Sequence, residues 1–102
     1  MTVVTREDNK ATVRPAGDAI VAATIGELRS ELRAVLEQGA RELVLDLADI
    51  RMVDSSGLGL LMAAHNSVSR AGGRLAVIHA SAELVELFQA MRLHQHFSVS
   101  GN

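Results

Sequence analysis

A chain of 102 residues is long enough for one hydrophobic core and too short for two, so residues 1–102 are expected to form a single domain. Nearly half of the residues are apolar, yet only Phe88 and Phe97 are aromatic; with a net charge of −2 and no block of either sign, the chain lacks the basic, stacking surface that nucleic acids demand. The absence of cysteine excludes disulfides and thiolate metal sites, and neither a secretory leader nor a membrane-length apolar run is present, so a cytoplasmic location without membrane insertion is expected.

Thr2 to Arg6 is β-prone and Lys10 to Arg14 alternates in polarity; with the turn-like Glu7-Asp8-Asn9 between them they read as a hairpin. Pro15 cannot donate to a ladder and ends the second strand, and Gly17-Asp18 marks a turn before a short extended piece from Ala19 to Ala22. Thr24-Ile25-Gly26-Glu27 has the spacing of a capping box, with Thr24 as N-cap and Glu27 reaching back. The helix it opens carries Ile25, Leu28, Leu32, Val35 and Leu36 on one stripe, with Glu31, Arg33 and Glu37 on its solvated face and Gly39 at its end.

Leu43-Val44-Leu45 is a buried strand, Asp46-Leu47-Ala48-Asp49 its exit turn, and Met52-Val53 a second short apolar piece. From Gly57 to Arg70 the pattern is helical, with Leu58, Leu61, Met62, His65 and Val68 aligned, until Ala71-Gly72-Gly73 ends it. Leu75 to Ile78 is another buried strand. Ser81 caps a third helix with Leu84, Leu87, Phe88 and Met91 on one side, and Phe97-Ser98-Val99 is a last short strand. The order is β-β-α-β-α-β-α-β. Helical crossovers between the later strands imply parallel pairing beside an antiparallel hairpin, hence an α/β fold with a mixed sheet.

One turn stands out. Asp54-Ser55-Ser56-Gly57-Leu58-Gly59 joins a strand to a helix, and two glycines there each cost about 1 kcal/mol relative to alanine inside a helix. They leave the first-turn amides uncovered, and those amides with the helix dipole favour an anion. Ser55 or Ser56 can simply cap the helix. A hydrolase elbow is excluded, because Val53 and Asp54 stand where its first glycine belongs. The signal for a dinucleotide loop is weak, with Met62 at its third glycine and no first strand of a βαβ unit before it. A phosphorylated serine would add roughly −1.5 to −2 charges at a helix start that tolerates them.

Val44-Leu45-Asp46-Leu47, Val53 to Leu61 and Gly72-Gly73-Arg74-Leu75 resemble the STAS domain of anti-sigma factor antagonists, over about Thr12 to Val99. The resemblance implies helices packed mainly on one face of the sheet and a non-enzymatic binding module without a cofactor. It implies phosphorylation of the serine after the aspartate, Ser55 here, with Ser56 as second choice. A serine-kinase anti-sigma factor would bind the unphosphorylated form, phosphorylation would release it, and a serine phosphatase would restore it. Asp54 to Gly59 would form the switch turn and partner surface. The alternative is a STAS subunit with a structural or scaffold role in a transporter-associated or signalling complex. The family's Gly-x-Leu-Asp before the first helix is replaced by Gly17 to Thr24, with Val21 in place of the acidic residue and Asp18 the nearest substitute.

Among the other polar residues, His65 reads as a half-buried structural histidine on its helix stripe, and Asp46 and Asp49 as turn formers. His79 ends a strand with nothing marking it as a base, and His94 and His96 lack a partner at metal-ligand spacing.

Overall fold

The computed structural model describes residues 1–101. Strand β1 (Val3–Glu7) returns as β2 (Lys10–Arg14) through a two-residue turn in which Asp8 takes φ 55°, a left-handed conformation that aspartate tolerates. There follow β3 (Ala19–Ile20), α1 (Ile25–Glu37), β4 (Glu42–Asp46), β5 (Met52–Val53) and α2 (Ser55–Arg70). The chain closes with β6 (Arg74–Ala80), α3 (Ala82–Ala90), a 3-10 turn at Leu93–Gln95 and β7 (Ser98–Gly101).

The main sheet runs β1-β2-β4-β6-β7, antiparallel in the hairpin and parallel from β2 onward, as the helical crossovers predict. Its register sets Ala11, Leu43 and Leu75 in one line and Val13, Leu45 and Val77 in the next, all fully buried. The intervening line of Thr12, Val44, Ala76 and Ser98 stays partly or wholly open. This period-two contrast stacks the helices on one face, where aliphatic burial is worth about 25 cal/mol per Å². Ala19–Ile20 and Met52–Val53 do not join this sheet. They pair with each other in a separate parallel ribbon, Ala19 opposite Met52 and Ile20 opposite Val53.

Helix α1 buries Leu28, Leu32 and Val35 and half-buries Ile25 and Leu36. Its end is a Schellman turn: Gly39 at φ 100° donates to Leu36 while Ala40 donates to Val35. The capping box is not formed. Thr24 has near-helical backbone angles, and its hydroxyl turns back to accept the Val21 amide and to donate to the Ala19 or Val21 carbonyl. Glu27 instead accepts the Thr2 amide at 3.2 Å, tying α1 to the hairpin.

In α2 the buried line is Gly57, Leu60, Leu61, Ala64 and Val68. The predicted stripe is therefore rotated: Leu58, Met62 and His65 flank the core half-exposed, because the small Gly57 and Ala64 let the helix backbone approach closely. Ser81 caps α3 by accepting the Leu84 amide at 3.2 Å. Leu84 and Phe88 are buried, but Met91 is 55% exposed. Met91 is the C-cap, and the chain reverses at Arg92 (φ 60°), which carries it off the apolar stripe.

Candidate functional site

The small ribbon aims the turn. β3 and β5 run side by side, so Ile20 lies against Val53, and the Asp54 amide donates to the Ile20 carbonyl at 3.3 Å. Asp54 leaves the strand extended (φ −93°, ψ −174°), the backbone geometry of an N-cap. One carboxylate oxygen, Oδ1, accepts the Gly57 amide at 2.9 Å and the other, Oδ2, accepts the Ala22 amide at 3.1 Å. Asp54, not Ser55 or Ser56, thus caps α2. The aspartate also joins the first turn of α2 to the loop that precedes α1.

Hydrogen bonds from Gly57 and then Ala22 hold the Asp54 carboxyl below the usual aspartate range. It remains anionic at neutral pH and keeps both amides engaged. Capping by Asp54 leaves the serines without a structural duty. The Ser55 side chain is exposed at the first helical position, Ser56 is half-buried at the second, and neither hydroxyl makes a hydrogen bond among the described residues.

The two glycines differ in purpose. Gly57 is buried, and a Cβ there would strike the Ile20 carbonyl oxygen and come within 2.7 Å of Val53 Cγ1. It is a packing glycine, which replaces the expectation that it serves access. Gly59 is exposed and a Cβ there would meet open space. Leu58 half-buries against the core, so Asp54, Ser55 and Gly59 are the outward members of the motif and Gly57 and Leu58 the inward ones.

Two neighbours of the turn were not legible in the sequence. Ala22 contributes only a backbone amide, for which side-chain pattern carries no signal, and Met52 stands 57% exposed on β5 because its alternate, Val53, points inward. Asp18, the nearest acidic substitute for the position of Val21, lies at the start of β3. Its carbonyl accepts the Arg51 and Met52 amides, at the opposite end of the ribbon from Ala22. The carboxylate beside the Val21–Thr24 loop is that of Asp54.

The remaining polar groups form separate contacts. His79, at φ 58° in a bulge of β6, donates to Asp46 at 2.9 Å, and Asp46 also accepts the Ala48 amide as a turn former does. Burial raises the Asp46 carboxyl pKa, but the bonds from His79 and Ala48 outweigh it and leave the group below the ordinary value. Asp49 pairs with Arg14 at 2.7 Å. His65 is half-buried, lies within reach of the Ser69 hydroxyl and packs near His96 and Phe97. Among the described residues no three metal-ligating side chains come together.

The fold is a mixed sheet with three helices on one side, and its second helix, capped by Asp54, presents the exposed Ser55 at its start. The sequence pattern of the STAS domain matches residues 2–102. The anti-sigma-B factor antagonist of Bacillus subtilis (strain 168) is 32% identical over 98 residues, covering 95% of this chain and 87% of that protein. An anti-sigma factor antagonist from Mycobacterium paratuberculosis superposes with a TM-score of 0.85 at 21% identity, over 100% of this chain and 86% of that one. The Bacillus cell fate determinant SpoIIAA in its phosphorylated form superposes with a TM-score of 0.75 at 18% identity, over 97% and 90% of the two chains. The chain belongs to the STAS domain family, in its anti-sigma factor antagonist branch, a group of binding proteins that are not enzymes. No helix among the described residues is long and apolar enough to cross a membrane.

Proposed function

We propose that this protein is a cytoplasmic, single-domain anti-sigma factor antagonist that binds a serine-kinase anti-sigma factor and is released when Ser55 is phosphorylated. One observation carries the choice of site: Asp54 takes over the helix cap, which leaves the exposed Ser55 hydroxyl free to accept a phosphoryl group without loss of a structural bond. Ser56 is the less favourable acceptor because it is half-buried. The helix N-terminus tolerates the added charge, so the switch acts on docking and leaves the fold in place. The partner surface comprises the turn Asp54 to Gly59 with the adjoining Ala22 loop, and a serine phosphatase resets the system.

The test is a pull-down from the source cell with wild-type, Ser55→Ala and Ser55→Asp baits, followed by phosphate mapping. A kinase held by wild type and Ala but lost with Asp is the expected result. Equal retention by all three baits overturns the switch, and label on Ser56 alone moves it by one residue.

A further inference from the structure

A second feature of α2 lies outside the turn. Between α1 and α2 runs an open groove of about 380 Å³, with Leu32 and Leu60 at its floor and Leu36 and Ala63 on its walls. Alanine on α2 facing leucine on α1 leaves the space unfilled: the groove is apolar below and open above. Its α1 rim carries Arg29 and Arg33, both exposed and one helical turn apart. Neither makes an ion pair or a side-chain hydrogen bond among the described residues, although Glu37 stands one turn beyond Arg33. Two like charges at this spacing destabilise a helix slightly. Here they border an apolar channel whose one acidic lining residue, Glu37, lies at its far end and forms no ion pair with either arginine among the described residues, so the rim stays net positive.

We infer that this groove receives an acidic amphipathic helix of the protein's binding partner, its apolar side chains seated between Leu36 and Ala63 and its carboxylates on Arg29 and Arg33. The charge pattern selects the occupant. An apolar floor takes the hydrophobic stripe of a helix, and paired guanidiniums donate to carboxylates at successive turns of it. The groove also adjoins the switch turn, because Ser56, Leu60, Ala63 and Ser67 follow one another at helical spacing on α2. One partner can therefore cover both. In that respect the inference rests on the proposed function, but the groove can be tested without it.

The experiment is a titration of the ¹⁵N-labelled full chain, followed by amide shifts, with two synthetic helical peptides. One is built from leucine, alanine and glutamate; its twin has lysine in place of glutamate. The acidic peptide shifts the amides of Leu32, Leu36, Leu60 and Ala63 and the basic twin does not. Arg29→Glu with Arg33→Glu weakens the acidic peptide by roughly tenfold or more and admits the basic one. Both arginines are exposed, so the double variant folds, and its unchanged dispersed spectrum verifies this in the same experiment. The peptides report on the groove and the Ser55 baits report on the turn, so failure of the serine switch and failure of the groove give different results. Equal shifts with both peptides, shifts scattered over the surface, or no shifts overturn the inference. Concentration-dependent shifts of the same amides without peptide assign the groove to a second copy of the chain and overturn it as well.

Discussion

The Asp54 carboxylate accepts the Ala22 amide at 3.1 Å across 32 positions of sequence, while its other oxygen caps α2 on Gly57. A single side chain thereby sets both the start of the helix and the loop beside it. Replacing it separates the two roles. Ser55 stays exposed in either case, but its distance to the Ala22 loop depends on this bond. Ala removes both bonds, whereas Asn retains an acceptor oxygen and caps nearly as well as Asp. Asp54→Ala is expected to lower the melting temperature by several degrees and Asp54→Asn by less, as read by circular dichroism.

The same carboxylate predicts a pH dependence. Its pKa in the folded protein is depressed below the unfolded value of about 3.9. The stability it contributes is therefore fully present above that value and is lost as pH falls through the lower folded pKa. Wild type and Asp54→Asn should differ at neutral pH and converge as the solution is acidified below about pH 4. A gap that widens in acid contradicts the assignment.

The glycines of the turn should respond with opposite signs. Gly57→Ala drives a methyl into the Ile20 carbonyl and Val53, and overpacking of this kind costs about 1–3 kcal/mol. Gly59→Ala meets open space within the helix and gains about 0.5–1 kcal/mol from reduced backbone freedom in the unfolded chain. Urea midpoints of the two variants on either side of wild type are the expected outcome.

A negative charge at Ser55 should leave the fold standing. Ser55→Asp places a carboxylate at the first position of α2, where the helix dipole favours it by about 0.3–1 kcal/mol. Its melting temperature is expected at or slightly above that of wild type. A large drop means that the turn reports on unfolding and not on docking.

In α3 the two ends of one apolar stripe should behave differently. Phe88→Ala empties a fully buried site and costs about 3–5 kcal/mol. Met91→Ala truncates an exposed side chain and changes stability by less than about 0.5 kcal/mol. Chemical denaturation of the pair checks both.

Local pattern is enough for the hairpin, the three helices, the order of the strands along the chain and the prominence of Asp54 to Gly59. Those features rest on period two in Lys10 to Arg14, on helical spacing in Leu28, Leu32 and Val35, and on glycines at chain reversals, all of them local properties. Tertiary structure alone decided what those residues touch. Nothing local announces that Met52–Val53 pairs with Ala19–Ile20 away from the main sheet, or that Glu27 holds Thr2 and not its own helix. At the turn, Asp54, Ser55 and Ser56 are all good capping residues, and which one caps depends on the Ala22 amide and on the close approach of Gly57 to Ile20. The motif was legible because its composition is unusual. Its division of labour, with aspartate as clasp, Gly57 as contact and Ser55 left free, was not, because distant backbone sets it.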